Sequence, residues 1–250
     1  MKPSVFLACA VGIVAIAGCN SKQGNLATNA PAELKQAPPP KGGDWTQVVT
    51  ETPSGGFMMG NPNAKVKLIE YGSLTCPHCK AFDDEGVPSL LSKYVKSGQV
   101  SWEFRNYVRD MFDLTASLIA RCNGAESFFP LSRALYNDQA TWMAKIQAAP
   151  QDQLQALENL PPNQEFLQAA KFPELQSWAA LRGVPTSKST ACLTDENAIN
   201  QLIQMTSDAT TQFPDFPGTP TFILNGTMLD KTATWDVLEP QIRNALGERG

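Results

Sequence analysis

Two periodicities divide the chain. Val66-Lys67-Leu68-Ile69-Glu70-Tyr71 is a short, mostly apolar run that reads as a buried strand. Gly72 to Thr75 makes a short connection, and Cys76-Pro77-His78-Cys79 opens a helix predicted to run to about Lys96. Pro77 stands just inside the start, where a missing N–H does no harm. Gly86 and Pro88 predict a kink in the middle, and Gly98 a stop. Val100, Trp102 and Phe104 then alternate with Ser101, Glu103 and Arg105, the two-residue period of a strand. Residues 66–107 therefore read as strand–helix–strand, a parallel crossover.

From Asp110 to Gln212 the period becomes helical. Met111, Leu114, Leu118, Ile119 and Cys122 share one face, and Phe128, Phe129, Leu131 and Leu135 begin a second stretch. Trp142, Met143 and Ile146 follow. Leu154, Leu157 and Leu160 suggest a short helix ended by Pro161-Pro162. Phe166 to Leu181 reads as one longer helix with Pro173 inside it, and Ile199, Leu202, Ile203 and Thr206 close the set. Strand signals return only at Thr221-Phe222-Ile223-Leu224. Asn225-Gly226 is a two-residue hairpin turn, and Thr227-Met228-Leu229 is the return strand. Asn225-Gly226-Thr227 also matches a glycosylation sequon, which the turn explains better. Trp235, Leu238, Ile242 and Leu246 form a last amphipathic helix, expected to be capped by Thr234.

The first 45 residues carry no such pattern. Lys2, the apolar run Val5–Ala17 and the small residues Ala17-Gly18 make residues 1–18 a signal segment, too short to span a bilayer. Ile16-Ala17-Gly18-Cys19 resembles a bacterial lipobox, in which Cys19 is acylated and becomes the new N-terminus. Asn20 in second position implies delivery to the outer membrane. Residues 19–45, with Pro38-Pro39-Pro40 and Gly42-Gly43, read as a flexible tether spanning about 25–30 Å. The localisation expected is a periplasm-facing protein, lipid-anchored to the cell envelope.

Composition narrows the chemistry. The chain has 250 residues, a net charge of −4 and no basic run, which argues against nucleic acid as a partner. One histidine excludes a His-rich zinc site. Of six cysteines, Cys9 leaves with the signal and Cys19 with the anchor. Four remain, an even number in an exported chain, which suggests two disulfides. Cys76-x-x-Cys79 stands directly after a strand, at a helix start. Residues three apart share a helix face, so the two sulfurs reach each other. Cys76 sits where free N–H groups and the helix dipole favour a thiolate, the attacking species in disulfide exchange. His78 between them adds a positive charge when protonated, and its backbone N–H points the same way. Rival readings are half a zinc site with Cys122 and Cys192, which lack paired spacing, and a Cys–His dyad, whose members would point apart.

These motifs make the chain similar to the DsbA-like branch of the thioredoxin superfamily. The resemblance rests on Gly60-Asn61-Pro62-Asn63-Ala64, Ile69-Glu70-Tyr71, Cys76-Pro77-His78-Cys79 and Gly218-Thr219-Pro220-Thr221-Phe222, and covers roughly residues 46–250. It implies an α/β fold: a thioredoxin fold with a central mixed sheet, interrupted by an all-α helical insertion. The thioredoxin parts would be residues 46–109 and 213–250, and the insertion 110–212. The resemblance further implies that Cys76 is an exposed nucleophile and Cys79 a buried resolving thiol. Pro220 would be a cis-proline facing them, and Glu70 a buried acid able to take the proton of Cys79. Cys122 and Cys192, near the two ends of the insertion, are expected to form a structural disulfide, the alternative being two unrelated buried thiols. Thr219, before the proline, departs from the best-known oxidants and is found in isomerase relatives.

The function expected is disulfide donation to exported proteins through a mixed disulfide at Cys76, without a bound cofactor. A separate redox partner would recycle the pair, and the protein would be a monomer. The alternatives are a reductase or isomerase of the same fold, and a non-enzymatic anchored binding or chaperone module. The acidic run Asp83-Asp84-Glu85 reads as a solvated helix face.

Overall fold

The computed structural model describes residues 38–39 and 43–248. The signal segment, Cys19 and most of the tether lie outside the described residues. A 3-10 turn, Trp45–Gln47, is the first described element, with Asp44 accepting from the Thr46 N–H.

Among the described residues six strands form one mixed sheet, in the order β1-β2-β4-β3-β5-β6. They are β1 (Val49–Glu51), β2 (Phe57–Gly60), β3 (Val66–Gly72), β4 (Val100–Asn106), β5 (Thr221–Leu224) and β6 (Thr227–Met228). Only β3 and β4 are parallel, joined by the crossover over residues 77–95. The β3 run is buried because it is central, between β4 and β5. Its alternation places Val66, Leu68 and Glu70 on one face. Ile69 and Tyr71 are on the other, where Tyr71 packs with Ile223, Ala209, Phe213 and Phe216. Glu70 is therefore a carboxyl on the core face, opposite Phe104 of β4 and Phe222 of β5.

The crossover is helical in three pieces. Helix α1 (Pro77–Glu85) ends at Gly86, α2 (Val87–Ser89) follows, and Leu90–Val95 is a π-helical stretch. Gly86 is the expected break, and it has a packing reason. A Cβ there would lie 2.7 Å from the Phe82 ring, which stacks edge-on to Phe222 in the core. Between β4 and β5 the described residues are helical and without strands. The helices are α3 (Met111–Arg121), α4 (Ala125–Asn137), α5 (Gln139–Gln147), α6 (Gln151–Leu157), α7 (Pro162–Ala169), α8 (Leu175–Ala180), α9 (Thr186–Leu193) and α10 (Glu196–Gln212). Helix α11 (Trp235–Leu246) closes the chain and buries Leu238 and Ile242.

Four expectations need correction. The long helix expected over 166–181 is two, α7 and α8. Pro173 has no N–H to continue α7, and Glu174 adopts φ 57° as the chain restarts. Helix α9 lies in a stretch where no helix was read. Strands β1 and β2 were not foreseen either. β1 is a three-residue edge strand with exposed side chains, and β2 has no polar alternation to betray it. Thr234 does occupy the N-cap of α11, but its hydroxyl engages the Asp236 carboxylate instead of a backbone N–H.

Asn225 and Gly226 both have positive φ, 49° and 86°, as the β5–β6 hairpin requires. Cys122 and Cys192 are joined by a disulfide that ties the end of α3 to α9 and leaves the half-zinc reading without ligands. It spans a sequence separation of 70. By loop entropy that is worth about 4–5 kcal/mol against the unfolded chain. Replacing both cysteines by serine should lower the denaturation free energy by about that amount. Urea titration checks it; an unchanged midpoint would contradict the assignment.

Candidate active site

Cys76 is the N-cap of α1, with extended backbone (φ −83°, ψ 122°), and Pro77 is the first helical residue. Cys79 follows one turn on. Both are free thiols. Cys79 is fully buried, and Cys76, expected to be exposed, keeps only 3% of its surface. The cover comes from the segment before β5. Gly218 takes φ 118°, Thr219–Pro220 is a cis peptide, and the Thr219 carbonyl lies 3.2 Å from Cys76 Sγ. The Thr221 hydroxyl donates to Gly218 O at 2.6 Å and closes this turn. Sequence positions 76, 79, 219 and 220 are thus one site.

Charge in the site is set by who donates to which sulfur. The Cys76 thiol is lowered to about 5. The largest cause is the hydrogen bond that Cys79 donates to it; burial opposes, while the Thr219 side chain and the backbone N–H groups of Cys79 and His78 assist. The Thr219 carbonyl acts the other way, since it accepts only from a protonated thiol. What reaches the sulfur from His78 is its backbone N–H; the side chain is exposed. Cys79 is pushed well up by burial, by the same bond to Cys76, and by the charges of Glu70 and Cys76. The Ser73 N–H, 3.5 Å from Cys79 Sγ, opposes that shift.

Glu70 is buried behind this pair, at 1% exposure. Burial raises its carboxyl well above the usual range, Asp83 adds to the rise, and the Trp102 indole, donating to Oε2 at 3.1 Å, opposes it. Glu70, Asp83, Ser132, Arg133 and Tyr136 line an enclosed space with about 10 Å³ of room for a water-sized sphere, at the threshold for one water. Asp84 and Glu85 of the acidic run are exposed as expected, but Asp83 is not. It is buried, 3.4 Å from Arg133 of α4, and its carboxyl is raised to about 6, chiefly by burial.

Residues that the sequence did not single out hold the loop before Cys76. Asp113 of α3 is fully buried and accepts from the Ser73 hydroxyl at 2.6 Å, the Leu74 N–H at 2.8 Å and the Arg109 N–H at 3.0 Å. Tyr136 of α4 donates to Ser73 O at 3.1 Å. Gln139 of α5 donates to the carbonyls of Leu74 and Cys76. The only local signal was a polar residue, Asp113, beside the apolar stripe of α3. Its partner lies 40 positions away.

With this geometry in place, known proteins can be compared. The family described as thioredoxin matches residues 52–244. This chain belongs to the thioredoxin family. A solved protein-disulfide isomerase of Novosphingobium aromaticivorans is 34% identical, covering 76% of this chain and 97% of that one, with a TM-score of 0.73. The solved alpha-DsbA1 of Wolbachia pipientis shares the fold at 21% identity, covering 76% of this chain and 90% of that one, with a TM-score of 0.61. A Rickettsia bellii protein provisionally named a protein-disulfide oxidoreductase is 28% identical over 172 residues, 68% of this chain and 57% of that one. The chain thus spans little more than half the length of that curated relative.

Two outcomes follow for the reduced protein. Alkylation of Cys76 by iodoacetamide should follow a titration centred near pH 5, and a midpoint above 7 would contradict the geometry. Glu70 has the opposite sign. Its raised carboxyl favours the fold below the ordinary pKa of about 4.3, and that benefit is lost as pH rises through its folded value. Glu70→Gln should therefore raise Tm at pH 7–8, by about 2–4 °C for each kcal/mol released.

Proposed function

We propose that this protein is a thiol–disulfide oxidoreductase that donates its Cys76–Cys79 disulfide to exported proteins. The observation that carries the reading is a lowered Cys76 thiol beside a buried, raised Cys79 thiol, both under a cis-proline.

The steps follow from that asymmetry. A client thiolate attacks Cys76 Sγ of the oxidised pair. The Cys76–Cys79 bond breaks, and Cys79 leaves as a thiolate. Its leaving charge is met by the Ser73 N–H and relieved by a proton, for which Glu70 is the nearby buried acid. A second client thiolate then attacks the client sulfur of the mixed disulfide. The client disulfide forms, and Cys76 departs as the stabilised thiolate. The client loses two electrons and the protein gains them. Pro220 and Thr219, over Cys76, are placed to receive an extended client segment.

No cofactor enters these steps. The reduced pair needs a separate redox partner to reoxidise it. The apolar Val5–Ala17 run and Cys19 support an exported, lipid-anchored protein on the periplasmic side of the envelope, with outer membrane favoured by Asn20. The Cys122–Cys192 disulfide supports an oxidising compartment.

A second reading runs electrons the other way, as a reductase or isomerase. It is favoured by Thr219 and by the 34% identity to the Novosphingobium protein-disulfide isomerase. A trapping experiment tests the exchange itself. With Cys79→Ser, a reduced unfolded client plus an oxidant should leave a client-linked adduct at Cys76 that dithiothreitol releases. With Cys76→Ser no adduct should form, and undiminished function in that variant would establish the binding-module alternative.

A further inference from the structure

The loop that carries the redox cysteines is held by the helical insertion, and one carboxylate does most of the holding. Ser73 and Leu74 link the end of β3 to the start of α1. Their backbone has one bond to the helix start, from the Cys76 N–H to Ser73 O at 3.2 Å. Asp113, near the start of α3, takes both: Oδ2 accepts from the Ser73 hydroxyl at 2.6 Å, and Oδ1 from the Leu74 N–H at 2.8 Å. Asp113 is itself pinned, since Oδ2 also accepts from the Arg109 N–H at 3.0 Å. The Ser73 hydroxyl and Thr75 hydroxyl are 3.1 Å apart. Tyr136 secures the carbonyl of the same residue. The one polar group of Ser73 left over is its N–H, and it points at Cys79 Sγ.

We propose that Asp113 is a positioning residue for the resolving thiol: by fixing Ser73 it aims the Ser73 N–H at Cys79 Sγ and so speeds the step in which Cys79 attacks or leaves. The inference rests on the thiol–disulfide exchange proposed above and assigns a role in it to the insertion. The argument is one of geometry and alternatives. Burial raises the Asp113 carboxyl to about 7, so its charge depends on donors, and two of its three come from the Ser73–Leu74 loop. The S···N distance of 3.5 Å leaves the contact sensitive to loop movement, because hydrogen bonds weaken steeply with misalignment. The charge on Cys79 exists only in the exchange step, so a donor aimed at it acts on the transition state more than on the resting thiol. The effect should be confined to Cys79. Cys76 Sγ takes its N–H groups from His78 and Cys79 of α1, and Ser73 touches Cys76 only through the carbonyl that accepts the Cys76 N–H at 3.2 Å, which Tyr136 also holds.

The reaction to measure uses glutathione disulfide as the probe. Reduced Cys76 attacks it, giving a Cys76–glutathione mixed disulfide and one glutathione thiolate. Cys79 then attacks Cys76 Sγ, the Cys76–glutathione bond breaks, the Cys76–Cys79 disulfide forms and the second glutathione leaves. Acid quenching and mass spectrometry of the full chain read both steps. Asp113→Asn keeps the shape but places an NH2 group against one of the three donors. It should lengthen the life of the mixed disulfide about tenfold, equivalent to ~1.4 kcal/mol, while the first step and the Cys76 titration stay within about twofold and half a unit. Ser73→Ala removes the 2.6 Å bond to Asp113 and the 3.1 Å contact with the Thr75 hydroxyl, and keeps the Leu74 tie. It should give a smaller slowing of the same second step, and it decides the matter if the Asn variant does not fold. Wild-type lifetimes in both variants would overturn the proposal, as would equal slowing of both steps, which marks a general loosening. Failure of the wild-type chain to form any mixed disulfide would instead sink the exchange function on which the proposal rests.

Discussion

The hydrogen bond from the Cys79 thiol to the Cys76 sulfur is the interaction on which the site depends. It is the largest stabilisation of the Cys76 thiolate, and the same bond helps hold the proton on Cys79. It exists only in the reduced protein, because oxidation replaces it with a covalent bond. Whatever stabilises the thiolate therefore stabilises the reduced state and makes the disulfide a stronger oxidant. The N–H groups at the start of α1 and the Thr219 side chain add to this, and burial subtracts from it. Cys76 sits near 5 because the donors win.

The fold supplies each condition for that bond. The parallel pairing of β3 and β4 forces a crossover helix, whose first turn opens at the end of the central strand. That places Cys76 at an N-terminus and Cys79 in the core. The antiparallel partner β5 brings Thr219–Pro220 over the sulfur. The pleat of β3 turns Glu70 inward beneath Cys79. Helices α3, α4 and α5 contribute Asp113, Tyr136 and Gln139, which hold the loop between strand and helix. Three helices of the insertion thus converge by hydrogen bonds on the loop from Ser73 to Cys76.

What the sequence disclosed follows from locality. The Cys76–Cys79 pair, the strand before it and the Asn225–Gly226 turn are each contained in a few neighbouring residues, and their spacing alone constrains the geometry. The helical character of the insertion follows from period, but its breaks do not. Pro130 sits inside α4 and Pro240 inside α11, whereas Pro173 separates two helices. Asp83 looked like one of three solvated acids, yet its partner Arg133 comes from a helix fifty residues on. Asp113 was illegible for the same reason. The burial of Cys76 could not be read either, since the carbonyl that covers it belongs to a residue 143 positions away.

The account's central claim is that thiolate stabilisation makes this pair an oxidant. The most direct measurement is the equilibrium of Cys76–Cys79 with a glutathione redox buffer, with Cys122–Cys192 left intact. A reduction potential of about −180 mV or higher, between thioredoxin and the strongest disulfide donors, is the predicted result. A value of about −250 mV or lower would contradict it, because the reduced state would then gain nothing from the thiolate, and the flow of electrons would run toward clients instead.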